Sequence, residues 1–244
     1  MDVWEPRRIA GAAGLVLTAM LVVAFVLDFV IIGTTGGPPM IALAALAADL
    51  TRARGSVIWP IETWLYSLQI VPFAIFILGV RSAFRGSPSE WLANASTVAA
   101  VLFMALQTLH NLAILAVVQV MAPTYVPGAT DAPAIEAVSR GLLGLGYAAF
   151  VPGGGVGGVF FVLAGAGFAI AQRRTGALPR WTGPLAAASA GLTAIAFGQY
   201  LVPPIFALAL VGFLAFIAWV ALASVSLFRA APGAAAPALP EQPT

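Results

Sequence analysis

Apolar residues along this chain fall into long blocks and not into the alternation of a half-buried strand. Residues 9–33 carry only Thr18 and Asp28 as polar side chains, and a helix needs about 20 apolar residues to cross about 30 Å of hydrocarbon. This block is predicted to be a first, uncleaved membrane span, because a signal-peptide core has only about 7 to 15 apolar residues. A second span is predicted over 57–80, closed by Arg81 and Arg85. Ser87-Pro88-Ser89-Glu90 then supplies a capping serine, a proline at the first helical position and a glutamate at the third. A third helix is therefore expected over 88–121. The glycine-rich run 151–158 precedes a fourth span that ends at Arg173 and Arg174. Spans five (184–202) and six (204–228) meet at Pro203-Pro204 in a tight hairpin.

Two other segments do not fit a span. Residues 40–50 are too few to cross, and 134–150 carry Glu136 and Arg140, so both read as surface helices. The tail 230–244 is Ala/Pro-rich without apolar periodicity and is predicted to be disordered. The expected fold is all-α: one polytopic membrane domain over 1–229, with six transmembrane helices and two short surface helices on the outer side, followed by that tail.

Composition strengthens this reading. Hydrophobic residues make up 61% of the chain and charged ones 8%, with mean hydropathy +1.00, where a soluble domain has about 25% charged residues. Cysteine is absent, which excludes disulfides, thiolate catalysis and thiolate metal sites. Every basic side chain is arginine, so no lysine is present for Schiff-base chemistry. The net charge of +2 is spread over short loops and makes nucleic acid an unexpected partner. Arginine-only usage with abundant Ala, Gly and Val suits a GC-rich bacterial source.

Short cytoplasmic loops retain positive charge. Arg7, Arg8, Arg81, Arg85, Arg173, Arg174, Arg180 and Arg229 thus fall on one side, against Arg52, Arg54 and Arg140 on the other. The expectation is an inner-membrane protein with both termini cytoplasmic. Trp4, Trp91 and Trp181 mark the inner interface, and Trp59, Tyr125 and Tyr200 the outer one.

Ionisable residues inside a span cost about 2.5 to 3.5 kcal/mol at its centre, so each asks for a partner or a purpose. Asp28, Glu62 and His110 are in this position. Glu62, Tyr66 and Gln69 share one helical stripe, and Gln107, His110 and Asn111 one face of the third helix. Gln69 and His110 fall at the same depth, and Ser189, Thr193 and Tyr200 form a weaker stripe. The pattern predicts a polar cavity open to the outer side, with the acids at its mouth and the imidazole at its floor. Interhelical hydrogen bonds that hold a bundle together, worth about 0.6 kcal/mol each, are the alternative for the neutral groups.

No cofactor is expected. Haem and zinc normally take more than one protein ligand, and His110 would need a methionine or a second copy of the chain beside it. No nucleophile-elbow pattern accompanies it, so catalysis is not the leading expectation. The run 153–158 lacks the Lys-Ser/Thr of a phosphate loop; Gly154 and Gly158 have the spacing of a close-packing motif instead.

The start Arg7-Arg8-Ile9-Ala10-Gly11-Ala12-Ala13-Gly14, the long third helix with a polar centre and the Arg-bounded loops resemble a family of uncharacterised bacterial multi-pass membrane proteins, a domain of unknown function. The resemblance spans nearly the whole chain and implies six helices. It transfers no functional residue. From the residues themselves, the expected function is binding or transport of a small protonatable or amphipathic molecule, with acids and imidazole suited to proton relay. A structural or assembly subunit of a larger membrane complex, touching pigments or haem, is the other expectation. Expected partners are the lipid bilayer, a small-molecule ligand, and membrane proteins or a second copy of the chain.

Overall fold

The computed structural model describes residues 6–36, 43–151, 154–200, 202 and 205–229. The helices are α1 (Pro6–Thr35), α2 (Leu46–Arg54), α3 (Ile58–Leu68), α4 (Ile70–Ser82), α5 (Glu90–Ala116), α6 (Ala122–Thr124), α7 (Ala132–Ala149), α8 (Gly155–Thr175), α9 (Thr182–Ala196) and α10 (Phe206–Arg229). Among the described residues there is no strand, only a single bridge between Val151 and Gly154. The fold is all-α. The predicted tail, the Pro203-Pro204 hairpin and Trp4 lie outside the described residues.

Five helical stretches are long and apolar enough to cross a membrane: Pro6–Thr35, Ile58–Ser82, Glu90–Thr124, Gly155–Thr175 and Ala207–Arg229. The protein is a multi-pass membrane helix bundle. α9 has 15 residues and is continued by the tighter turn Phe197–Tyr200. The second predicted span consists of two helices, α3 and α4, that break at Gln69. Pro72 is the cause: it has no N–H to donate to the Leu68 carbonyl four residues back, and the ladder resumes where Phe73 N–H donates to Gln69 O at 3.0 Å. A wide π turn, Val117–Met121, prolongs α5 just before Pro123, which likewise has no N–H to give.

The cap of α5 differs from expectation. The helix begins at Glu90, and Glu90 reaches back to accept from Gly86 N–H at 2.7 Å, while the Ser87 hydroxyl donates to Phe84 O. α8 ends at Gly176 in the left-handed conformation (φ 63°), the usual glycine terminator.

Packing neighbours form a closed ring: α1 against α4, α4 against α5, α5 against α8, α8 against α9, α9 against α10, and α10 back against α1. Lipid tails are as apolar as leucine, so these contacts depend on close approach and dispersion, not on the hydrophobic effect. Glycines provide the approach. A Cβ on Gly11 would lie 2.5 Å from Phe228 N, and one on Gly79 would overlap Ala10. Gly158 lies under the Phe197 ring, and Gly154 sits just before the helix in extended backbone.

Two apolar cores result. One gathers Leu17, Phe76, Phe84, Phe168, Trp219 and Leu227 among others. The second gathers Ile31, Leu50, Trp59, Val117, Tyr125 and Leu143 at the opposite end, where α2, α6 and α7 cap the bundle. Along α5, Met104 belongs to the first core and Ile114 to the second. The polar residues Gln107, His110 and Asn111 lie between.

Candidate functional site

That interval contains a cavity of ≈ 380 Å³. Asp28 of α1, Glu62 and Tyr66 of α3, Gln69 at the α3–α4 break, and Gln107, His110 and Asn111 of α5 all line it. The structure thus brings all seven predicted residues to one space. Thr193 lines it too, whereas Ser189 faces a small apolar void of ≈ 30 Å³ beneath; the Tyr200 side chain lies outside the described set.

The acids are neighbours in the lining. Asp28 and Glu62 line the same cavity, and Tyr66 of the Glu62 stripe bonds to Asp28. The Tyr66 hydroxyl donates to Asp28 Oδ2 at 3.1 Å, and the Thr63 hydroxyl to Glu62 Oε2 at 3.0 Å. Asp28 Oδ1 is buried yet accepts from no N–H or hydroxyl among the described residues. Deeper in, Gln69 is fully buried and neither of its amide atoms has a hydrogen-bond partner among the described residues, and the same holds for Asn111 Nδ2. Leaving such a group without a partner costs about 1 to 3 kcal/mol.

His110 lines the cavity between α5 and α7. Its ring meets Tyr147 at 5.4 Å and Phe150 at 5.8 Å between centroids, and it rests on Gly146 of α7. A Cβ there would come within 3.5 Å of His110 Nδ1. The floor is aromatic. Phe73, Phe103, Phe161 and Phe216, from α4, α5, α8 and α10, form a closed cycle with centroid separations of 6.3, 4.9, 5.3 and 6.4 Å. At the other end the rim carries exposed Phe29, Ile32 and Leu210. The cavity is therefore more apolar than the sequence pattern suggested, with its polar groups as islands among rings.

Phe73, Phe103 and the α7 residues were not among the expected site. A signal for the first two exists: Phe73 is four residues past Gln69 and Phe103 four before Gln107, so each continues a polar stripe. α7 read as a surface helix, and nothing local shows that Tyr147 turns inward.

Among the described residues no group of three or more His, Asp or Glu could hold a metal ion. No arginine lines the cavity, and the chain has no lysine. Compared with protein-family models, with curated proteins and with solved structures, the chain matches none.

Proposed function

We propose that this membrane protein binds a small amphipathic molecule in the cavity and presents it to the outer side of a bacterial inner membrane. The observation that carries this reading is the ≈ 380 Å³ space between two packed cores in which two acids, an imidazole and three amides converge. Buried atoms on Gln69 and Asn111 without a partner among the described residues support it, because a bundle built only to hold itself together gains nothing from that cost. In this reading α9 and its following turn make the sixth crossing, the arginine distribution sets both termini in the cytoplasm, and the α2–α7 cap is external. Asp28, Glu62 and Tyr66 meet the ligand near the rim; Gln69, Gln107, His110 and Asn111 orient its polar part. The acids and His110 are suited to pass a proton as the ligand moves. Movement across the membrane requires the four-phenylalanine floor to part.

Purified protein in a bilayer disc is expected to be thermally stabilised by at least one class of amphipathic small molecule. An Asn111→Leu/Thr193→Leu variant, with the cavity partly filled, should lose that response. No stabilisation by any class, with stoichiometric co-purification of another membrane protein, would replace this reading by the subunit one.

A further inference from the structure

Resting on the reading of the cavity as a small-molecule site, we infer that its ligand is an amphipathic organic cation, an ammonium or other onium ion bearing apolar rings, held by Asp28 and Glu62. The charges in the lining are one-sided. Two carboxyls share the lining, and among the described residues no guanidinium or ammonium faces them from any element around the cavity. The titratable groups that do face them are Tyr66, bound to Asp28, and His110, packed under Tyr147 and Phe150 on another helix. Like charges close together at membrane depth repel strongly; a shared proton relieves the repulsion but leaves one negative charge on the pair, and a bound cation neutralises that charge. An anion would be repelled by that charge, and a neutral ligand would leave it unneutralised. Asp28 Oδ1 supplies an acceptor that no N–H or hydroxyl among the described residues occupies.

The walls fit the remainder of such a molecule. Phenylalanine and tyrosine rings reach the cavity from α1, α3, α4, α5, α7, α8 and α10, and their faces attract cations while their bodies accept apolar groups. The rim of Phe29, Ile32 and Leu210 is apolar, which suits a ligand that partitions from lipid.

The test compares three probes of similar shape on the full chain in discs of phosphatidylcholine: tetraphenylphosphonium (cation), triphenylphosphine oxide (neutral) and tetraphenylborate (anion). Equilibrium binding to the wild type is expected to favour the phosphonium by about tenfold or more over the other two. The near-isosteric Asp28→Asn/Glu62→Gln variant should lose about tenfold in phosphonium affinity while binding the phosphine oxide within about twofold of wild type. Equal binding of the neutral or anionic probe by the wild type overturns the cation assignment and leaves the cavity a small-molecule site of another class. So does a folded double variant that keeps its phosphonium affinity. Failure of all three probes to bind overturns the cation assignment, and the cavity reading falls with it only when no other amphipathic class stabilises the protein. The probe series on the wild type decides the question even if the variant does not fold.

Discussion

Gln69 shows how the site trades against stability at the level of one residue. Its amide is fully buried with neither polar atom partnered among the described residues, which costs about 1 to 3 kcal/mol. Gln69→Leu is therefore expected to raise the melting temperature by a few degrees, since 1 kcal/mol shifts a domain of this size by about 2 to 4 °C. The same variant should weaken phosphonium binding. A melting temperature below wild type would show that the amide supports the fold. Asp28, Glu62, Gln69 and His110 were legible in the sequence for this reason: a polar atom in a 20-residue apolar block is costly enough to stand out. The phenylalanines of the floor were not, because an apolar side chain in an apolar block carries no such contrast. Only their distance of four residues from the polar stripes marked Phe73 and Phe103.

Elements are held by different means at the two ends of the bundle. At the α1–α4 contact a Cβ on Gly79 would overlap Ala10, whereas Gly144 of α7 has open space around it. Gly79→Val should destabilise by about 1 to 3 kcal/mol through overpacking, and Gly144→Ala should stabilise by about 0.5 to 1 kcal/mol through helix propensity. Thermal melts that rank the two the other way would contradict the glycine-mediated packing. At the capping end, the Tyr125 hydroxyl donates to Glu136 Oε1 at 2.6 Å, and Arg54 donates to the Tyr125 carbonyl at 3.2 Å. The Glu136 carboxylate holds the Tyr125 phenol above its ordinary value. The stability from this bond is thus fully present below the ordinary tyrosine pKa of about 10. It is lost as pH rises through the raised folded value. Tyr125→Phe should remove this part of the alkaline destabilisation in a series of melts against pH, and an unchanged slope would argue against the bond. Most helices were legible from block length and arginine boundaries. The break at Gln69 was not predicted although Pro72 announces it, because a continuous apolar run outweighed a single proline.

Among the described residues six helices, α1, α4, α5, α8, α9 and α10, close a ring that is packed tight through glycines toward one end and parted around a cavity toward the other. Which helices touch, and hence that the stripes of α1, α3 and α5 face one another, is set by long-range packing that no local pattern records. Sidedness rests on the arginine distribution, and reporter fusions at Pro127 and Pro179 are expected to read outside and inside respectively; an inside signal at Pro127 would invert the arrangement. The absence of cysteine from the chain makes the cavity itself directly measurable. Gln107 lies just above the phenylalanine floor and lines the cavity. A Gln107→Cys variant in sealed right-side-out vesicles should react with a membrane-impermeant thiosulfonate added outside, and tetraphenylphosphonium should slow that reaction. Reaction from the cytoplasmic side alone, or none from either side in a folded protein, would contradict an outward-facing binding cavity.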